Sequence, residues 1–172
     1  GVFKIFDEII TNAADEVQRN KTVKCIKVNI SDTEISVFND SGIPIELHPE
    51  YKIYIPELIF ATLLTSSNFD DSKQRTTGGL NGLGAKLTAI FSTEFTVETA
   101  NKGKKYIQTF SNNLSVISKP KITKCTKEYT KITFKPDYSK FGLEKLDSFT
   151  VQILEKRVFD ICAVTPKHVN VY

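Results

Sequence analysis

The 172-residue chain has no methionine and no tryptophan, only two histidines and three cysteines, and a formal net charge of only +3. Each shortage removes a class of explanation. Cys25, Cys125 and Cys162 are far apart, odd in number and without any Cys-x-x-Cys spacing, which argues against a disulfide framework. With His48 and His168 as the only imidazoles, a zinc centre lacks ligands and a Ser-His-Asp nucleophile lacks a well-placed base. The small net charge neither demands nor excludes a nucleic-acid partner. No apolar run approaches the length of a membrane span and no secretory leader opens the chain, so no membrane partner is expected and a reducing, intracellular compartment fits best. The missing methionine, and an opening that falls inside a helical pattern, suggest a piece of a longer polypeptide. The remaining composition, 40% hydrophobic and 25% charged, is ordinary for one globular domain long enough to bury a core.

Glycine is scarce but concentrated. Four of the eight glycines fall in Thr77-Gly78-Gly79-Leu80-Asn81-Gly82-Leu83-Gly84-Ala85-Lys86. An apolar run with helical spacing follows, through Leu87, Ile90 and Phe91. A glycine-rich turn feeding a helix start aims free backbone N–H groups and the positive end of the helix dipole at one point, which makes a phosphate cradle. It is not a P-loop, because no Gly-Lys-Ser/Thr closes it, and it lacks the preceding strand of a dinucleotide fingerprint. A flexible surface loop is the plainer alternative.

Periodicity predicts a helix over 3–19, strands over 24–30 and 34–38, a short helix over 57–64 with Pro56 near its first turn, and a long polar loop over 65–77. A hairpin over 93–99 and 105–110, strands over 114–117 and 129–134, a helix over 146–162 and a strand from 169 complete the order. That order implies an α+β two-layer sandwich, a mixed β-sheet with helices on one face.

In the first helix Glu8 and Asn12 lie one turn apart on one side, and Asp15, Glu16 and Arg19 continue the stripe. A solvated face is the bland reading. Asparagine is a poor mid-helix choice, however, and the opposite face is strongly apolar, so the polar face is held rigidly. A carboxylate one turn from an amide oxygen suits nucleotide hydrolysis: the acid can activate water, and the amide can take one position on Mg2+.

Phe6-Asp7-Glu8-Ile9-Ile10-Thr11-Asn12-Ala13-Ala14-Asp15, taken with the glycine loop, resembles the ATPase domain of type IIA DNA topoisomerases, a GHKL-superfamily domain with the Bergerat fold. The likeness is closest to the eukaryotic topoisomerase II branch and covers nearly the whole chain. Leu63-Leu64-Thr65-Ser66-Ser67-Asn68-Phe69-Asp70-Asp71 is similar to that branch's lid segment. Tyr54 to Phe60, Phe91 to Phe95 and Thr133 to Asp137 fit the same family.

The resemblance implies ATP and Mg2+ as cofactors, Glu8 as the general base that prepares the attacking water, and Asn12 as the Mg2+ ligand. It implies that Ser66, Ser67 and Asn68 touch ribose and phosphates. Gly79, Leu80, Asn81, Gly82, Leu83, Gly84, Ala85 and Lys86 form the phosphate loop on the same basis, and Thr130 helps fix adenine. One stretch departs from the family pattern: Asn39-Asp40-Ser41-Gly42-Ile43-Pro44 is one residue short and lacks a glycine. Reading forward from the strand makes Asn39 the adenine contact; reading back from Ile43-Pro44 makes it Asp40. The flanking strand favours Asn39.

Residues 1–172 are then expected to be a single N-terminal-type ATPase domain, a fragment without the strap, the transducer or the DNA-cleavage regions. DNA and a homodimer partner belong to the parent enzyme, whose gate ATP would close. The location is expected to be nuclear in a cellular eukaryote, or the host cell for a virus. A non-hydrolysing nucleotide-gated module and another GHKL ATPase are the alternatives.

Overall fold

A computed structural model of the chain describes residues 2–20, 22–31, 33–60, 83–142, 146, 148–164 and 170–171. Helix α1 (Val2–Arg19) forms because Val2, Ile5, Phe6, Ile9, Ile10, Ala13 and Val17 recur at helical spacing, and all seven are buried. Each large side chain among them contributes about 1.5–3 kcal/mol of transfer free energy. The helix stops at Asn20, whose side-chain oxygen accepts the Thr22 N–H at 3.0 Å.

The strands are β1 (Cys25–Ile30), β2 (Ile35–Asn39), β3 (Ser92–Asn101), β4 (Lys104–Ser111), β5 (Val116–Ile117), β6 (Lys121–Lys124), β7 (Tyr129–Pro136) and β8 (Asn170–Val171). They form one sheet in the order β5-β4-β3-β7-β2-β1-β8, with β6 paired to β4. Only β8 runs parallel to its neighbour β1, so the sheet is mixed, as the element order implied. Helices α2 (Ile55–Phe60), α3 (Leu83–Ile90) and α4 (Ser148–Val164) join α1 on one face, and all four contribute to the same apolar cluster.

Strand alternation sends every second residue to that face, and the register lines them up in rungs. The first rung is Ile30, Ile35, Phe134, Phe95 and Phe110. Phe95 is its centre, with the rings of Phe60, Phe110 and Phe134 at 6.1, 6.3 and 6.5 Å. The next is Val28, Val37, Ile132, Val97 and Gln108. The third, Ile26, Asn39, Thr130, Thr99 and Tyr106, turns polar in its middle.

The strand expected over 114–117 is shorter than its sequence suggests. Asn112, Asn113 and Leu114 adopt φ of 49°, 59° and 70°, a left-handed turn that leaves only Val116 and Ile117 to pair with β4. The Asn113 side chain fixes this turn by donating to Ile90 O and Asp137 Oδ2, each at 2.9 Å. Strand β6 was not anticipated, and all four of its residues are exposed.

Candidate functional site

The polar stretch of the third rung is the floor of the site. Asn39 and Thr130 are direct partners on β2 and β7, and Thr130 and Thr99 on β7 and β3. The Thr99 and Thr130 hydroxyls lie 3.0 Å apart. Thr130 donates to Ser41 O at 2.6 Å, and Thr99 accepts the Ile43 N–H at 2.9 Å. Asn39 Oδ1 accepts the Ser41 N–H at 3.0 Å. Three sheet side chains thus hold the short segment after β2. Gly42 lies so close to β3 that an added Cβ would sit 2.0 Å from Ala100 O. The glycine that remains in the shortened segment is therefore required by space.

Above this floor is a cavity of about 280 Å3, close to the lower end for small-molecule sites. Its walls are apolar where Ile9, Val37, Ile43, Ile59, Phe60 and Ile132 face it. Asn12, Glu16, Arg19 and Asn20 of the α1 side supply polar groups. Glu16 accepts from Ser41 Oγ at 2.7 Å and pairs with Arg19, which ties the helix to the segment after β2. An apolar cavity with a few convergent hydrogen-bonding groups is the usual make-up of a small-molecule site.

The candidate residues fall into three groups. Asn12, Asn39 and Thr130 line the cavity together. With its oxygen turned to Ser41, Asn39 keeps two amide N–H donors that have no protein partner among the described residues, and Asn12 has no hydrogen bond there either. Thr130 spends its proton on Ser41 and can only accept. Glu8 is outside the cavity lining; its carboxylate pairs with Lys4 Nζ at 2.9 Å, one turn before Asn12, and this contact holds the Lys4 ammonium above its ordinary pKa.

Asp40 is turned the other way. Its carboxylate accepts the Lys24 and Cys25 N–H groups at 2.9 and 3.1 Å, capping the start of β1, so of the two adenine-contact readings the structure brings only Asn39 to the cavity. Leu83, Gly84 and Ala85 form the first turn of α3, and Lys86 follows, buried, where desolvation lowers its pKa. Ser66, Ser67, Asn68, Gly79, Leu80, Asn81 and Gly82 lie outside the described residues.

Sequence reasoning missed Thr99, Ser41 and Asn20. Thr99 carried a usable signal, because it follows Phe95 and Val97 at strand spacing and puts a hydroxyl where an apolar residue belongs.

No protein-family model matches the chain. The fold is that of the gyrase-type ATPases. The 43K ATPase domain of Thermus thermophilus gyrase B superposes over 97% of this chain and 41% of its own with a TM-score of 0.75, at 23% identity. The crystal structure of the ATPase region of Saccharomyces cerevisiae topoisomerase II matches with a TM-score of 0.89 and 51% identity, over 99% of this chain and 47% of that one. DNA topoisomerase 2 of Meyerozyma guilliermondii is 56% identical over 179 residues, all of this chain and 13% of the relative. The chain belongs to the ATPase region of the DNA topoisomerase 2 family, on the eukaryotic side. It spans less than half of the solved ATPase-region chain it matches and a small part of the curated relative.

Proposed function

We propose that this chain binds and hydrolyses ATP as the nucleotide-operated part of a type II DNA topoisomerase. The observation that carries the reading is the polar rung set into an apolar floor, facing a helix that carries Glu8 and Asn12. The Asn39 amide retains two donors and one lone pair, enough for the paired donor and acceptor on an adenine edge. Thr130 offers an acceptor beside it. Asn12 would hold Mg2+ through its amide oxygen, and the cation would neutralise phosphate charge when bound. Glu8 would leave Lys4 and accept the proton of the attacking water. The start of α3 presents backbone N–H groups that suit a phosphate. In the parent enzyme, ATP binding would close a homodimer gate around DNA and hydrolysis would reset it, in the nucleus of a cellular eukaryote or the host cell of a virus. No helix among the described residues is long and apolar enough to cross a membrane.

The test is a thermal-shift titration with Mg-ATP, followed by turnover assays. At 100 times Kd, ATP should stabilise the fold by about 2.7 kcal/mol, a rise in Tm of about 5–10 °C for a domain of this size. Glu8→Ala should keep this shift and lose about 10^2–10^4-fold in hydrolysis. Loss of both would make Glu8 structural. A shift with no turnover in the full-length enzyme would favour a nucleotide-gated binding module.

A further inference from the structure

The polar row of α1 begins before Glu8. Lys4, Glu8 and Asn12 follow one another at intervals of four residues, about 6 Å of helix each, so they lie on one side. Lys4 Nζ meets Glu8 Oε1 at 2.9 Å, while Glu8 Oε2 has no hydrogen-bond partner among the described residues. The neighbouring carboxylate, Asp7, is held by Arg157 Nε of α4. Two adjacent acids thus have separate cations: an arginine from another helix for Asp7, and for Glu8 a lysine one turn back on its own helix.

Helix stability is a poor account of the Lys4 pair. An exposed ion pair contributes little, and lysine one turn ahead of glutamate is the weaker of the two orders along a helix. The Lys4 side chain is 69% exposed and that of Glu8 30%, so an ammonium on a long free stem rests on a partly sheltered carboxylate. A tie between α1 and α3 lies beside it, where Thr88 Oγ1 donates to Ile5 O at 3.1 Å. The first turn of α3, at Leu83, is five residues before Thr88, about 7.5 Å along the helix. The end of α3 that suits a phosphate is therefore less than two turns from the bond that joins α3 to the residue after Lys4.

We propose that Lys4 is a catalytic cation that changes partner during hydrolysis, resting on Glu8 in the empty site and moving to the terminal phosphate as Glu8 takes the proton of the attacking water. This role presupposes the ATP hydrolysis proposed above. In that step the water oxygen bonds to the γ-phosphorus, the bond from that phosphorus to the bridging oxygen of ADP breaks, and one water proton passes to Glu8. One unit of negative charge therefore leaves the Glu8 carboxylate and appears on ADP and phosphate. A fixed cation would suit only one of these two states. An ammonium on a flexible four-carbon stem serves both, because it binds phosphate as a point charge. The attacking water stands about 2.6–3.2 Å from its base and about 3–3.5 Å from the atom it attacks, so phosphate oxygens come within a few ångströms of the carboxylate that Lys4 already touches.

The experiment measures Mg-ATP turnover by the chain itself, by Lys4→Met, which keeps the stem and removes the charge, and by Lys4→Arg, which keeps the charge. Lys4→Met should lower kcat by about 10–100-fold, less than the roughly 10^2–10^3-fold lost with a buried donor because Lys4 faces water. Its KM should stay within about threefold, since the contact with phosphate is completed only as the charge moves. Lys4→Arg should recover most of the rate. All three proteins should melt at the same temperature, whereas a merely stabilising pair would show itself there and not in kcat. A Lys4→Met kcat within about twofold of the unaltered chain would overturn the proposal, as would Lys4→Arg falling as far as Lys4→Met. A weaker affinity with kcat kept would overturn it too, by making Lys4 a contact of the bound substrate alone. Turnover lost in Glu8→Ala but untouched in Lys4→Met removes Lys4 and leaves the ATPase function standing; no thermal shift with Mg-ATP in the unaltered chain removes both.

Discussion

Gly42→Ala puts the shortened segment after β2 to a direct test. A methyl at position 42 would lie 2.0 Å from Ala100 O and 2.8 Å from Glu128 Oε2. Glu128 is a flexible side chain and can yield; the carbonyl belongs to a central strand and cannot. Ordinary contact is ~3.5 Å, so the segment must retreat by roughly 1.5 Å. Three hydrogen bonds oppose that retreat: Ile43 N–H to Thr99, Thr130 to Ser41 O, and Ser41 N–H to Asn39. Losing two of them, at about 1 kcal/mol each, with about 1 kcal/mol of residual crowding, gives roughly 3 kcal/mol. Reduced freedom of the unfolded chain returns about 0.4–1 kcal/mol, leaving a net loss of about 2–3 kcal/mol. For a domain of this size Tm should fall by about 4–12 °C. Urea unfolding followed by tyrosine fluorescence and circular dichroism measures the stability, and calorimetry with Mg-ATP measures affinity, expected to drop by at least tenfold as Asn39 and Ser41 part. Gly103→Ala is the control: at φ +84° with nothing within 4 Å of the added carbon, it should cost only about 1–2 kcal/mol of backbone strain and leave ATP affinity alone. If Gly42→Ala changes stability by less than 0.5 kcal/mol and leaves affinity untouched, the reasoning about the close approach to β3 is wrong.

Two further outcomes are expected. Thr99→Val keeps the shape but leaves the Ile43 N–H without its acceptor, and should cost about 1–3 kcal/mol in denaturant unfolding while weakening ATP binding; a neutral result would remove Thr99 from the account of the site. Hydrogen bonds from Ser139 and Asn113 hold the Asp137 carboxyl below its ordinary pKa. A depressed folded pKa stabilises above the unfolded value near 4 and is lost as pH falls through the folded one, so Ser139→Ala should flatten the stability profile below about pH 4 and not above it. Parallel profiles for variant and parent would contradict this.

How much could be read from the chain depended on how local each signal was. Helix α1 was legible because its apolar period is carried within 18 residues, and β1, β3 and β7 because better and less buried residues alternate along most of their length. Asn39 was favoured by the strand that leads into it, whereas Thr130 was named only by the family resemblance. Thr99 left a trace, a hydroxyl in step with Phe95 and Val97, but Ser41 and Asn20 left none, since they join the site only through bonds between segments far apart in sequence. Asp40 was ambiguous because its true partners, the Lys24 and Cys25 amides, become neighbours only when β1 pairs with β2. Strand β6 gave no signal because Lys-Ile-Thr-Lys, with all four side chains exposed, has no hydrophobic face to reveal it.

The polar side chains on the floor, Asn39, Thr130 and Thr99, are set in the interior strands of an eight-stranded sheet, each laced to a neighbour on both flanks. None of them can shift far without tearing ladders on either side. If the proposed nucleotide reading holds, discrimination between ligands would be anchored in these doubly paired strands, and accommodation to an arriving guest would fall to the helical layer that roofs them.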